Sequence, residues 1–292
     1  MSNRVLIRNP KSGRGKWASK WQDIASSLGE LEVWETQAPG HATELAAKAA
    51  SEGVELVIAA GGDGTVSQVA NGLVGSKSTM AILPMGTGND LARTLGIGSS
   101  IEKAVEAIKQ NKVVEMDAGR WRTDQAEGYF VNIAGMGFDA AVADRINTGF
   151  KSLKGTMAYL AAVVTTLKSY KAQEVRLTVD GSPMQENIML AAIANGQCYG
   201  GGMKVAPMAS VSDGLLDLVL VKELGKLDFL RAFPSVFKGG HMGHRAVEHY
   251  RARSIRLEPR GEAPFLIDGE LTPCHWAEIE VVPKALRVII PN

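Results

Sequence analysis

Through the first 110 residues, short apolar runs alternate with segments whose apolar positions recur at helical spacing. Arg4-Val5-Leu6-Ile7 reads as a strand, Trp17 to Leu28 as an amphipathic helix and Leu31 to Trp34 as a second strand. His41 to Ser51 is alanine-rich and helical, and the run from Leu56 to Ala60 is of the kind buried on both faces of a parallel sheet. Val66 to Val74 returns to helical spacing, and Met80 to Leu83 to a strand. Helices are expected from Leu91 and over Ile101 to Lys109. Alternation of this kind predicts a parallel sheet with helices on both faces.

After about residue 117 the pattern changes. Tyr129 to Ile133, Glu174 to Val179, Asn187 to Ala194, Leu215 to Val221, Ser254 to Leu257 and Glu278 to Val282 read as strands with no helix between each pair. One helical stretch, Leu153 to Ser169, interrupts them, and Arg287-Val288-Ile289-Ile290 fits either half. The expected fold class is α/β in two parts. A Rossmann-like parallel-sheet domain spans residues 1–120, rejoined by 283–292, and a β-rich, sandwich-like domain spans 121–282.

The chemistry gathers where strands end. Gly61-Gly62-Asp63-Gly64-Thr65 lies between the third strand and its helix, at the sheet edge where α/β folds bind ligands. Glycines let backbone amides close on a phosphate, and a helix N-terminus favours negative charge. A plain turn with a capping Asp or Thr would need one glycine, not three. Pro84-Met85-Gly86-Thr87-Gly88-Asn89-Asp90 repeats the arrangement after the next strand, so the two loops are expected to share one ligand. Asn9-Pro10-Lys11-Ser12-Gly13-Arg14-Gly15 follows the first strand and offers hydroxyl, amide and cationic groups suited to polyphosphate. Gly13, Gly15 and Ala18, with Glu35 further on, also match a dinucleotide fingerprint. Four residues separate that strand from its glycines, however, where the fingerprint wants an immediate turn. No Walker A pattern occurs.

Composition narrows the partners. With 45% hydrophobic and 22% charged residues in 292, the chain is of ordinary globular type and long enough for two domains. A net charge of +1 gives no reason to expect nucleic acid. Cys198 and Cys274 form neither a disulfide framework nor a metal motif. The longest uncharged apolar stretch, Gly155 to Leu167, is too short to span a bilayer, and the N-terminus lacks a signal-peptide pattern. A cytoplasmic protein is expected. Between Lys222 and Arg260 nine Lys/Arg stand against four Asp/Glu, with Phe229, Phe233 and Phe237 at i, i+4, i+8. Such a stretch is either a core-packing helix with a solvated face or a contact for anionic lipid. His241, His244 and His249 match no metal-ligand spacing.

Taken in order, Asn-Pro-x-Ser-Gly-x-Gly, Gly-Gly-Asp-Gly-Thr and Pro-x-Gly-Thr-x-Asn-Asp resemble the diacylglycerol kinase catalytic-domain family. That family includes sphingosine and ceramide kinases and the soluble bacterial lipid kinases. The resemblance continues through Asn132-Ile133-Ala134-Gly135-Met136-Gly137-Phe138-Asp139. It then takes in Asn195-Gly196 with Gly200-Gly201-Gly202-Met203, then Pro207 and Asp213-Gly214-Leu215-Leu216-Asp217, and ends at Ile267-Asp268-Gly269-Glu270.

The resemblance implies a kinase that moves the γ-phosphate of ATP to a lipid hydroxyl, with ATP in the inter-domain cleft. It assigns ATP contacts to Asn9, Pro10, Lys11, Ser12 and Gly13, to Gly61, Gly62, Asp63, Gly64, Thr65, Val66 and Ser67, and to Thr87. Thr36 is an adenosine-side contact. It implies a structural Mg²⁺ on the Asp213 carboxylate and the carbonyls of Ser210 and Leu215, with Asp117 linking that ion's waters toward the nucleotide. Ser212 stands where some relatives carry another carboxylate. Lys11 or Arg14, with Lys154, is expected to assist on phosphate.

By sequence, Asp268-Gly269 reads as a hairpin turn. The resemblance makes Glu270 the proton acceptor and leaves Asp63 to hold phosphate-bound Mg²⁺, with Asp63 the competing base. Diacylglycerol is the expected acceptor and phosphatidic acid the product. Sphingoid-base, ceramide and glycerophospholipid acceptors are the alternatives. A soluble-substrate kinase of the NAD kinase or phosphofructokinase type, a dinucleotide oxidoreductase and a silent nucleotide-binding regulator are the rival classes. Expected partners are a lipid substrate and, at the periphery, an anionic membrane surface, with a homodimer left open and no nucleic acid.

Overall fold

The computed structural model describes residues 3–15, 21–149 and 156–292. Four parallel strands open the chain: β1 (Arg4–Arg8), β2 (Glu32–Glu35), β3 (Leu56–Gly61) and β4 (Thr79–Pro84), side by side as β2-β1-β3-β4. Residues of β3 and β4 are buried throughout, as strands covered on both faces must be. The connecting helices are α1 (Trp21–Ser27), α2 (His41–Ser51) and α3 (Asp63–Leu73), with α4 (Asp90–Thr94) and α5 (Ile101–Gln110) after β4. The alanines of α2 let it lie close on α3: a Cβ on Gly72 would sit 2.5 Å from the Thr43 carbonyl.

The rest is mainly antiparallel. It comprises β5 (Lys112–Thr123), β6 (Glu127–Phe130), β7 (Ile133–Gly137), β8 (Gln173–Val179), β9 (Ser182–Ala194), β10 (Leu216–Lys222), β11 (Val247–Ala252), β12 (Ser254–Pro259), β13 (Ala263–Ile267), β14 (Glu270–Cys274) and β15 (Ala277–Ile290). Helices α6 (Phe138–Gly149) and α7 (Thr156–Ser169) pack together over this sheet, and α8 (Lys226–Ala232) runs into a 3-10 turn over Phe233–Lys238. Among the described residues, no helix is long and apolar enough to cross a membrane.

One strand joins the two halves. β15 pairs antiparallel with β12 at its start and parallel with β4 near its end, and it runs antiparallel to β5 along its length. The two separate strands expected at 278–282 and 287–290 are therefore one, with an irregularity at Val282–Leu286 and Lys284 at φ 53. Asp117 on β5 holds that bend, its carboxylate accepting the Lys284 amide at 2.8 Å and the Gly214 amide at 2.7 Å. The expected strand Tyr129 to Ile133 is in fact broken between β6 and β7, because the amides of Val131, Asn132 and Ile133 all turn to one carboxylate, that of Asp268. Helix α6, which the sequence reading did not anticipate, begins at Phe138 directly after Gly137 (φ 119).

Candidate active site

Because β1 to β4 run parallel, their carboxyl ends share one edge, and every glycine-rich segment of the first half lies along it. Thr36 follows β2 and donates its amide to the Arg8 carbonyl at 2.9 Å. Asn9 donates its amide to the Ala60 carbonyl and its side-chain amide to the Thr65 hydroxyl at 3.3 Å, so the first loop is fastened to the third. Pro10 and Lys11 are exposed, and Gly13 takes φ 59 within a 3-10 turn over Ser12–Gly15. The Arg14 side chain and Lys154 lie outside the described residues.

The third loop is shorter than its glycines suggest. Helix α3 starts at Asp63, so Gly64, Thr65, Val66 and Ser67 form its first turns. Gly62 caps it without a side chain, which leaves the leading amides of the helix available to an anion. Val66 is buried in the N-terminal core and also lines the cleft.

The Gly61–Thr65 and Pro84–Asp90 loops are locked together by Asp63. Its two carboxyl oxygens accept the Asn89 amide at 2.8 Å and the Asp90 amide at 2.6 Å. Met85 donates its amide to the Gly61 carbonyl, and a Cβ on Gly86 would sit 2.5 Å from Gly62 Cα, so the backbones pass too closely for any side chain there. Asp90 in turn accepts the Gly201 amide at 2.9 Å and the Gly202 amide at 2.7 Å, tying the β-rich half to the same corner. Burial raises the Asp90 pKa, those two amides pull it back, and the nearby Asp63 charge adds to the rise. The Asp63 and Asp90 carboxylates both face Gly88, and Thr87 lines the cleft beside them. Two carboxylates and a hydroxyl are hard oxygen donors, a set that fits Mg²⁺ carried by a polyphosphate.

The opposite wall is the β13–β14 hairpin. Asp268 and Gly269 form its two-residue turn at φ 45 and 94, the left-handed pair of a type I′ turn. The turn is also part of the cleft. The Asp268 carboxylate accepts the Ser67 hydroxyl at 2.8 Å and the amides of Val131, Asn132 and Ile133 at 3.0, 3.1 and 3.1 Å. Burial pushes its pKa up, and the four donors that converge on it pull the other way. Glu270 follows, exposed, with Oε1 3.5 Å from the Gln68 side-chain amide on α3. Turn and charged site are thus one feature.

Between these walls lies a cleft bordered by Asp63, Ser67, Thr87, Asn132, Asp139 and Asp268. Asp90, Asp139 and Asp268 were not assigned site roles from the sequence, although each sits inside a motif quoted above. Their partners are backbone amides, distant in sequence for Asp90 and Asp268 and adjacent for Asp139, and a backbone amide leaves no mark in a sequence. Asp139 is buried, and burial pushes its carboxyl from the ordinary 3.8 up to about 7. The folded state therefore holds its proton over a range where the unfolded chain has released it, and stability is lost as pH rises toward 7. Asp139→Asn is expected to melt progressively higher than wild type from pH 5 to about 7, with the gap constant above that, as thermal unfolding across pH would report.

Asp213, expected to hold a structural Mg²⁺, lies elsewhere, beside Asp117 and Ser212. Asp213 does not stand free for a cation: Oδ1 accepts the Leu215 amide at 3.1 Å and Oδ2 pairs with the Arg251 guanidinium. As arranged, the positive partner of Asp213 is Arg251, and the set does not fit a divalent ion. Chelation of divalent ions is expected to leave the melting temperature of the nucleotide-free protein unchanged. Among the described residues, no three His, Cys, Asp or Glu side chains are grouped to hold a metal. The histidines are separate: His241 meets the Val205 carbonyl, His244 accepts the Ala246 amide and His249 pairs with Asp217.

A parallel-sheet domain with three phosphate-suited loops, closed by a β-rich domain that brings a carboxylate turn to them, defines a phosphotransferase cleft. The family model for the diacylglycerol kinase catalytic domain matches residues 3–121, and that for the YegS C-terminal NAD kinase beta sandwich-like domain matches 132–290. The chain is 34% identical to the diacylglycerol kinase of Mycobacterium tuberculosis, over 99% of this chain and 95% of that one. It is 30% identical to that of Bacillus subtilis, over 100% and 97%. It aligns with the crystal structure of a diacylglycerol kinase from Bacillus anthracis at TM-score 0.75 and 25% identity, covering 99% of this chain and 97% of that one. The chain belongs to the diacylglycerol kinase catalytic-domain family and is a kinase.

Proposed function

We propose that this kinase transfers the γ-phosphate of ATP to a lipid hydroxyl, with diacylglycerol as acceptor and phosphatidic acid as product. The observation that carries the reading is the Ser67–Asp268 bond, which fixes the Asp268-Gly269-Glu270 turn against the helix that opens the glycine loop. A nucleotide held by that helix and an acceptor at the turn would meet in one cleft.

The leading amides of α3 and the loops at Asn9–Gly13 and Thr87 would cradle the phosphates, with Thr36 toward the adenosine. Charge neutralisation and in-line positioning are most of what phosphoryl transfer needs. Mg²⁺, held at Asp63 and Asp90, would supply counter-charge. Glu270 would take the proton of the attacking hydroxyl. Asp63 is less suited to that work, since both its oxygens hold the Pro84–Asp90 loop in place.

The segment after β10 supports a peripheral membrane contact. Phe229 and Phe233 stack and pack inward, whereas Phe237, Leu227 and Leu230 are exposed beside Lys226, Arg231 and Lys238. Apolar side chains flanked by cations suit an anionic bilayer surface. The test is radiolabelled ATP with mixed micelles of diacylglycerol, sphingosine, ceramide and phosphatidylglycerol. Label in phosphatidic acid supports the reading. Label confined to a soluble acceptor such as NAD sinks it.

A further inference from the structure

Where the two halves join, a cation is built into the chain. The turn that leads into β10 is tied down on β5 by Asp117. That residue donates its amide to the Val211 carbonyl at 2.6 Å, and its carboxylate accepts the Gly214 amide at 2.7 Å and the Lys284 amide at 2.8 Å. These bonds link the turn to the irregularity in β15, the strand shared by both halves. Asp213 sits within the turn, where its Oδ1 accepts the Leu215 amide and its Oδ2 pairs with the Arg251 guanidinium. Arg251 reaches it from β11, where it lies across the ladder from Asp217. Asp217 itself is buried and pairs with His249.

The charges around the turn are close to balance. Its pocket also holds Glu280, Arg253 and Lys284, and Lys284 pairs with Glu115. That leaves the carboxylates of Asp117, Asp213 and Glu280 beside the guanidinia of Arg251 and Arg253. A divalent ion placed there meets two like charges at short range. Without Arg251 the excess negative charge would rise from one to two, which a divalent ion cancels. The oxygens of Asp117 and Asp213 each serve a protein N–H already, whereas Mg²⁺ demands a near-octahedral set of oxygens.

We propose that Arg251 is the structural cation of this kinase. Its guanidinium takes the place of the divalent ion that the family resemblance assigns to the Asp213 corner, so the fold needs no metal beyond that carried with the nucleotide. A guanidinium suits the post: it is permanently charged, planar and a strong donor to carboxylate. Arg251 is a positioning residue, because it acts on the joint through Asp213. Holding Asp213 fixes the turn whose Gly214 amide braces Asp117, and Asp117 in turn holds the Lys284 bend of β15. None of this depends on which acceptor the kinase uses.

Thermal unfolding and Mn²⁺ binding of nucleotide-free, chelator-stripped protein test the assignment, since neither readout needs the reaction. Wild type is expected to melt at one temperature in EDTA and in millimolar Mg²⁺. Arg251→Gln leaves Asp213 without its cation and is expected to melt about 2 °C lower in EDTA. Mg²⁺ or Mn²⁺ is expected to restore most of that loss, because an ion that binds only the folded state stabilises it. By equilibrium dialysis Arg251→Gln is expected to bind one more Mn²⁺ per chain than wild type, a difference in which any ion at Asp63 and Asp90 cancels. Both gains are expected to vanish when Asp213→Asn is added to Arg251→Gln. Arg251→Lys, which keeps the charge, is expected to stay indifferent to metal. A wild-type melting temperature that rises with Mg²⁺, and no longer does so in Asp213→Asn, would overturn the inference, since the ion would then be the cation of this corner. An Arg251→Gln protein that gains neither a bound ion nor a metal-dependent melting temperature would overturn it too. If Arg251→Gln does not fold, the comparison of wild type with Asp213→Asn still decides.

Discussion

Asp268→Ala is expected to destabilise the protein by about 4 kcal/mol and to abolish kinase activity. The side chain is the shared acceptor for the amides of Val131, Asn132 and Ile133 and for the Ser67 hydroxyl. All three of those residues are buried, so removing the acceptor strands their donors, at about 1–3 kcal/mol each less whatever relaxation recovers. Position 268 also sits at φ 45, where an alanine Cβ adds about 1 kcal/mol of strain. Asp268→Asn tolerates that backbone and keeps one oxygen, so it should lose about half as much. Urea unfolding at constant m-value measures the order wild type, Asn, Ala. Equal stability of all three would mean that the three amides find other partners.

Glu270→Gln should lower kcat by at least about 10²-fold while leaving KM for ATP and the melting temperature near wild type. Glu270 is exposed, and its contact with Gln68 is a weak one at 3.5 Å, so the amide costs the fold little. Asp63→Asn should behave differently. Its new N–H₂ would face the Asn89 or Asp90 amide, opening the Pro84–Asp90 loop, so KM for ATP should rise together with the fall in kcat. Steady-state kinetics on the two variants separate a base from an organiser of the site. A Glu270→Gln enzyme within threefold of wild type would remove Glu270 from the chemistry.

Much of the site could be read before the fold was known, and the misses have a common cause. Gly61-Gly62-Asp63-Gly64-Thr65 and Pro84–Asp90 declared themselves because a run of glycines beside a hydroxyl and a carboxylate is local information. The two loops were expected to share a ligand; the structure adds that they share a carboxylate, Asp63. Asp90, Asp139 and Asp268 could be named from the sequence but not assigned. Their partners are backbone amides of residues 201–202, 140 and 131–133, and a backbone amide looks the same at every position of a sequence. For Asp213 the resemblance supplied a ligand set, and the structure sets the Arg251 guanidinium, 38 residues on, against the same carboxylate.

Periodicity by itself determined the parallel half, because strand and helix there are set by short-range patterns of apolar side chains that each element must bury. It determined the glycine-rich ends of those strands for the same reason. Only the tertiary structure decided how the halves join. β15 pairs with β4, β5 and β12 through backbone hydrogen bonds, which carry no residue identity. It likewise decided that a hairpin turn two hundred residues away should press Asp268 on Ser67 and so bring Glu270 to the glycine loop. Spacing along the chain records which groups exist, and only packing determines which of them are left to find a partner.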